Sequence, residues 1–305
     1  MKTINLVNKD KSDIKYDISR FPDGQQDIVL NDLIKQDPKT DEYYPTGIFS
    51  DLVEDGVLIM SRFNSFRDLE LIIATVNALR HLEVLLDYKI DIHLYIPYLL
   101  GARSDRMFVE GGTSYLVDVV APILNSLNFK SIRVLDVHSD VASACIKNLI
   151  TVDNRSLVTF VLDDLTEKNN GYYSQPVVVS PDGGSLKKIY KVTKKVGFAG
   201  EIITCSKYRD TDGNLSNTYV PYKEEYDEKD LIIIDDICDG GRTFINIIKE
   251  VKKNKPERKG KNYLVITHGI FSAGFEELKK YFDGIYCTNS VKDVNESGVI
   301  QMNVF

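Results

Sequence analysis

Eight short apolar runs are spread along the chain, at residues 57–60, 93–96, 132–135, 177–179, 202–204, 231–234, 264–267 and 285–287. Several are apolar without alternation, the pattern of parallel strands covered on both faces. Stretches with helical spacing follow or separate them, at 69–86, 115–127, 186–194, 243–253 and 275–281. Strand, helix, strand in repetition predicts a doubly wound α/β sheet. The 305 residues are long for one core and ample for two domains, and the two halves share a rhythm without a residue-level repeat. A boundary near Lys147 is expected. Residues 168–173 and the polar, charged stretch 206–230 read as protruding loops, the second with the character of a lid or of a surface insertion.

Composition narrows the function. With 43% hydrophobic and 27% charged residues the chain is globular, not disordered. A net charge of −7 argues against non-specific nucleic-acid binding, which needs a basic face. It leaves room for small phosphorylated ligands, which loop amides and a few cations can hold. Cys145, Cys205, Cys238 and Cys287 include no C-x-x-C pair, so neither a zinc knuckle nor a redox motif is formed, and scattered thiols suit a reducing cytoplasm. The most apolar stretch, 92–102, is about half the ~20 residues of a membrane helix and is broken by Pro97. No segment near Met1 is apolar enough for a signal peptide. The expectation is a soluble cytoplasmic protein without membrane or nucleic-acid partners.

The polar loops lie where the strands end: Arg103-Ser104-Asp105-Arg106, Asp136-Val137-His138, Ser180-Pro181-Asp182-Gly183-Gly184 and 235–243. Ligands of open α/β sheets bind beyond the carboxyl ends of the strands. In the last loop a buried strand delivers Asp235 and Asp236, and Asp239-Gly240-Gly241 opens a helix near Thr243. Glycines let amides converge on a phosphate, the helix start adds partial positive charge, and the carboxylates suit sugar hydroxyls. The bland alternative is an Asp-Gly turn with a threonine cap. Asp182 reads as a metal ligand or as a helix cap. His138 reads as a ligand or as a hydrogen-bonded structural residue. His81 and His93 read as structural, and His268 stays open. Lys207 and Arg209 are surface charge unless their loop closes over a polyphosphate.

Taken in order, R-x-D-R, D-x-H, S-P-D-G-G, the K-x-R of Lys207-Tyr208-Arg209, and D-D-x-x-D-G-G-x-T resemble the phosphoribosyl pyrophosphate synthetases, or ribose-phosphate diphosphokinases. Phe21-Pro22-Asp23-Gly24 is similar to their F-x-D-G-E element, and Thr267-His268-Gly269-Ile270-Phe271 to their T-H-G-x-F element. The resemblance runs through nearly the whole chain. It implies two phosphoribosyltransferase-like domains related by a pseudo-twofold, over 1–146 and 147–291. A last strand within 292–305 would return to the first domain. It also implies Mg²⁺, ATP as co-substrate, and a homo-oligomer, dimer or hexamer. Phe21 would stack on the adenine of ATP from a neighbouring subunit, with Asp23 beside it and Gln25 also at the ATP site. Arg103 would hold the other face of adenine or the phosphates, and Asp105 and Arg106 would belong to the same ATP loop. His138 and Asp182 would position Mg²⁺. Lys207 and Arg209 would act on the transferring diphosphate. Asp235 and Asp236 would hold ribose hydroxyls, and Asp239, Gly240, Gly241, Arg242 and Thr243 the phosphate.

The chain departs from the family where Gln25 replaces its glutamate, Ser104 its glutamine, Gly240 a threonine and Arg242 a glycine, and where residues 107–112 replace its basic, serine-containing stretch. The implied reaction is transfer of the β,γ-diphosphate of ATP to the C1 hydroxyl of ribose 5-phosphate, releasing AMP. Arg242 and Gly240 also fit an acceptor extended beyond its 5′-phosphate, such as ADP-ribose, which divergent phage-type members of the family use in NAD⁺ resynthesis. Two rivals remain at this stage: a type I phosphoribosyltransferase, and a non-catalytic regulatory homologue of a synthetase.

Overall fold

The computed structural model describes residues 1–169, 175–209 and 215–305. The chain divides into two compact units, residues 1–152 with Phe305, and residues 153–304. The division falls a few residues beyond Lys147, because the last strand of the first sheet runs on to Val152.

The first unit contains β1 (Lys2–Asn5), an antiparallel hairpin of β2 (Tyr16–Arg20) and β3 (Gln26–Leu30), and a second hairpin of β4 (Ile34–Gln36) and β5 (Tyr43–Pro45). Helix α1 (Gly47–Asp55), β6 (Val57–Met60), α2 (Phe66–Leu86) and β7 (Ile92–Tyr95) follow. A π-helical turn at Leu116–Val120 leads into α3 (Ala121–Ser126), and β8 (Ser131–Leu135), α4 (Val141–Cys145) and β9 (Leu149–Val152) complete the unit. Its sheet is parallel throughout, in the order β1-β6-β7-β8-β9. Ile4, Val57, Ile59, Ile92, Leu94, Ile132 and Val134 pack against α1, α2 and α3 in one core. Helix α2 starts at a full capping box: Ser65 accepts from Asp68 while the Asp68 carboxylate accepts from Ser65, which fixes where the helix begins.

The second unit opens with α5 (Arg155–Lys168) and β10 (Val177–Ser180), α6 (Gly183–Lys195) and β11 (Ile202–Thr204). A two-stranded ribbon of β12 (Ser206–Arg209) and β13 (Leu215–Tyr219) stands where a long loop was expected. Then come β14 (Leu231–Cys238), α7 (Arg242–Asn254), β15 (Asn262–Gly269), α8 (Glu276–Lys279), β16 (Gly284–Thr288) and β17 (Val299–Met302). The six-stranded sheet is parallel in the order β11-β10-β14-β15-β16-β17. Successive residues of a strand face opposite sides, and here they build two cores. Val177, Val179, Leu231, Ile233, Leu264 and Ile266 pack with Phe244, Ile247, Ile248 and Val251 of α7. Val178, Ile232, Ile234 and Val265 pack with Leu157, Val161, Ile189 and Val192 of α5 and α6. This two-sided burial is why the strands read as unbroken apolar runs. With α6 and α7 on opposite faces, the winding reverses between β10 and β14.

One expectation is corrected. The strand near the C-terminus does not return to the first unit: Val299–Met302 pairs in parallel with β16, Ile285 opposite Val299. β17 instead covers the edge that β16 leaves open, with Tyr286 opposite Ile300 and Cys287 opposite Gln301. Phe305 does belong to the first unit, stacked near Tyr95 and under Arg62. Of the expected loop 168–173, Lys168 closes α5, and residues 170–173 lie outside the described residues.

Candidate active site

The reversal between β10 and β14 is where an open α/β sheet offers its crevice, and the loops of the second unit's candidate residues leave from there. β14 runs on past the apolar run to Cys238, so Asp235 and Asp236 belong to the strand itself. Lys188 of α6 places Nζ 2.7 Å from Asp236 Oδ2. The Ser185 hydroxyl of the same helix donates to Asp235 Oδ1 at 2.8 Å, and the Asp236 amide donates to that oxygen at 3.0 Å. Burial raises the Asp235 carboxyl to about 7, and the neighbouring charges of Asp236 and Asp182 push the same way against those two hydrogen bonds. Asp236 is buried and ion-paired, and Asp235 is half-buried at its outer edge while its carboxyl is enclosed.

The turn after β14 is tight. Both Ile270 and Phe271 amides donate to the Cys238 carbonyl, joining this turn to the loop after β15. Gly241 has φ of +76° and caps α7 without a side-chain bond, so the threonine-cap alternative is not what forms. A Cβ on Gly241 would lie 2.8 Å from Leu278, whereas one on Gly240 would meet nothing within 4 Å among the described residues. Asp239 accepts from the Ser272 hydroxyl, and both are exposed. Arg242 is exposed on the first turn of α7, with Thr243 beside it half-buried. Burial pushes the Cys238 thiol up to about 12, helped by Asp235 and Asp239, so it is no nucleophile at neutral pH.

Asp182 takes the capping role. Its Oδ1 accepts from the Gly184 and Ser185 amides at 3.1 Å each, at the start of α6. Lys207 and Arg209 sit on β12, opposite Thr218 and Leu215 of β13, with a register shift between Tyr208 and Arg209. Their side chains lie outside the described residues. His268 is buried with Nδ1 2.9 Å from the Ser290 hydroxyl, which settles its open reading as structural.

The remaining candidates belong to the first unit. Phe21, Asp23 and Gln25 form the exposed turn between β2 and β3, where Gly24 has φ of +95° and the Gln25 amide donates to Asp23. Gln26 anchors this turn on α2 through Glu70 and the Arg67 carbonyl. Arg103, Asp105 and Arg106 lie in the loop after β7, with Arg106 over the exposed Phe108 ring at 5.2 Å. His138, exposed, follows β8, just beyond Asp136, which holds an unusual φ of +42°. Since β7 and β8 are parallel neighbours, both loops leave from one end of the first sheet. Ser185, Lys188 and Ser272 were not singled out by sequence. Ser185 and Lys188 stand 50 and 48 residues from the carboxylates they bind, and only the fold joins them.

An acidic pair on a strand followed by a glycine-opened helix, at the winding reversal of a parallel sheet, defines a phosphoribosyltransferase-type fold. Comparison with known proteins agrees. Residues 152–300 match the phosphoribosyl transferase domain family. The chain is 23% identical over 287 residues to a ribose-phosphate pyrophosphokinase of Pyrococcus furiosus, covering 93% of this chain and 88% of that one. It is 26% identical over 198 residues to the Vibrio cholerae protein of the same name, covering 64% of this chain and 60% of that one. The fold matches the crystal structure of phosphoribosylpyrophosphate synthetase from Mycobacterium smegmatis with a TM-score of 0.71. That match has 15% identity over 97% of this chain and 88% of the other. These likenesses support a divergent member of the phosphoribosyl pyrophosphate synthetase family. Among the described residues no helix is long and apolar enough to cross a membrane.

Proposed function

We propose that the protein transfers the β,γ-diphosphate of ATP to the C1 hydroxyl of a ribose 5-phosphate or one of its derivatives, releasing AMP. The observation that carries this reading is the β14–α7 turn. Asp235 and Asp236 lie toward the end of a buried strand that closes at Cys238, and Gly241 in left-handed conformation opens α7, an arrangement that suits carboxylates for sugar hydroxyls beside amides for a phosphate. The names of the relatives point the same way.

In this reading O1 of the sugar attacks the β-phosphorus, the bond to the α-phosphate oxygen breaks, and AMP leaves. Such transfers rest on alignment and charge neutralisation more than on covalent help. Asp235 and Asp236 orient the sugar, and residues Asp239–Thr243 hold its phosphate. Lys207 and Arg209 meet the charge on the moving diphosphate. Phe21, Asp23, Gln25, Arg103, Asp105 and Arg106 receive ATP.

Asp182 is the candidate of the second unit for holding magnesium, and His138 that of the first. Among the described residues no cluster of three or more His, Cys, Asp or Glu side chains could cage a metal. Mg²⁺ keeps several of its waters and binds through one or two protein groups plus substrate phosphates. When bound, it supplies charge neutralisation at the phosphate oxygens.

The acceptor has a finer reading. Arg242 is exposed beside the phosphate turn, and Gly240 leaves open space where a side chain would stand. A planar cation next to a widened turn suits a phosphate carrying a further group, such as the diphosphate of ADP-ribose. The test is AMP formation from ATP and Mg²⁺ without any nucleobase, offering ribose 5-phosphate and ADP-ribose at equal concentration. Dependence on a nucleobase points to a phosphoribosyltransferase. No AMP with any ribose acceptor refutes the proposal. Exclusive use of ribose 5-phosphate, unaltered in Arg242→Gly, refutes the extended acceptor.

A further inference from the structure

The acidic pair is caught from one helix. Asp235 and Asp236 are successive residues of a strand, so their side chains leave on opposite faces of the sheet. Asp236 leaves on the side of Ile232 and Ile234, which pack with α6. There Lys188 Nζ reaches its Oδ2 at 2.7 Å, and only 8% of the Asp236 side chain is exposed. Asp235 leaves on the other side, yet Ser185 reaches its Oδ1 at 2.8 Å. Residues three apart on a helix share a face, so Ser185 and Lys188 act from one surface. The first turn of that helix is fixed in turn by Asp182, whose carboxylate accepts from the Gly184 and Ser185 amides.

We propose that Ser185 and Lys188 are positioning residues that give the two carboxylates different tasks. Lys188 ties Asp236 to α6 as a fixed anion, and Ser185 aims Asp235 so that its remaining lone pairs meet the vicinal hydroxyls of the acceptor ribose. The inference rests on the proposed function for the identity of the sugar, and deepens it by naming what selects a ribose over a 2-deoxyribose. A carboxylate oriented by one donor presents its acceptor sites in a set direction, whereas a freely turning one loses part of each sugar hydrogen bond. Losing one charge-assisted hydrogen bond corresponds to about a tenfold change or more in affinity.

The test uses the full chain and the variants Ser185→Ala, Lys188→Met and Lys188→Arg. Binding is measured by calorimetry without ATP. The probe is ribose 5-phosphate or, if it binds more tightly, ADP-ribose, each against the analogue lacking the 2-hydroxyl of the reacting sugar. AMP release is measured in parallel. Ser185→Ala is expected to weaken the ribose probe about tenfold and the deoxy analogue, which keeps the 3-hydroxyl, distinctly less. It should raise KM more than it lowers kcat. Lys188→Met should act alike, and Lys188→Arg should restore most of the discrimination. If Lys188→Met does not fold, Ser185→Ala and Lys188→Arg still decide. Equal weakening of both probes, or none, overturns the proposal, since a merely structural role would not discriminate one hydroxyl. Wild-type protein that releases no AMP yet shows the binding contrast refutes the transfer reaction and upholds the positioning. Wild-type protein that binds no ribose probe refutes both.

Discussion

Gly241→Ala should disable the phosphate turn while Gly240→Ala, one residue earlier, should not. At Gly241 φ is +76°, a left-handed conformation that costs an L-residue about 1–2 kcal/mol. The added Cβ would also stand 2.8 Å from Cδ2 and 3.2 Å from Cγ of Leu278, so that side chain or the turn must move. Overpacking of this kind adds about 1–3 kcal/mol. The lower ends of these ranges sum to about 2 kcal/mol, and if the turn escapes by changing shape, phosphate affinity falls about 30-fold. At Gly240 φ is not left-handed and the space is open. An alanine there should leave affinity within about threefold, since substitutions away from strain and packing change little. Calorimetric titration of each variant with ribose 5-phosphate or ADP-ribose measures the difference, and circular dichroism confirms that both fold. Equal affinities for the two variants would refute the argument that the turn's shape at Gly241 is what holds the phosphate.

Lys207→Ala and Arg209→Ala should each lower turnover by about 10²-fold with a smaller effect on ATP affinity, the scale for losing one preorganised charge contact; near-normal steady-state rates would remove both from the mechanism. Asp182→Asn keeps an oxygen to cap α6, so thermal unfolding should change little, while the Mg²⁺ concentration for half-maximal activity should rise; an unchanged Mg²⁺ titration would leave Asp182 a cap alone. Asp235 has its carboxyl raised to about 7 from an unfolded value near 3.9, so the native state holds the extra proton between those values. Its cost to stability therefore appears as pH rises from about 4 to about 7 and stays constant above. Asp235→Asn should accordingly raise the melting temperature more at pH 8 than at pH 5, and an equal rise at both would contradict a raised carboxyl.

The strands were legible because burial on both faces leaves little freedom of sequence. Val177, Val178 and Val179 must all be apolar when two helical layers cover them, and the sheet supplies those layers as two separate cores. Elements covered on one side only were harder to see. In β3, Gln26, Ile28 and Leu30 are buried and Asp27 and Val29 exposed, an alternation too short and polar to stand out. Helix α5 buries Leu157, Val158, Val161 and Leu165 at helical spacing, among enough polar residues to hide them. Strand β17 is half-buried along its whole length as an edge strand, and nothing in its sequence says which sheet it joins. That choice is a tertiary one, seen only once β16 presents an edge to pair with.

The site divides along the same line. A residue whose task is written in its own backbone can be read from sequence: Gly241 is glycine because only glycine fits left-handed φ against Leu278. Asp182 announces itself as a cap through the glycines and serine that follow it. A residue whose task is to hold another residue leaves no such mark. Lys188 is one of five lysines on α6, and its spacing differs in no way that distinguishes it from Lys187 or Lys191. It matters because β10 and β14 become neighbours, which brings α6 alongside Asp236. The like-charge problem at Asp235 and Asp236 comes from their adjacency in the sequence, and the pairing of β10 with β14 supplies its remedy. Two carboxylates side by side in a strand repel, and the buried one is tolerated only with a cation against it. The pair and its lysine are therefore one unit, and a chain that kept the acidic pair but lost the cation is expected to hold Asp236 less firmly and to discriminate the ribose less.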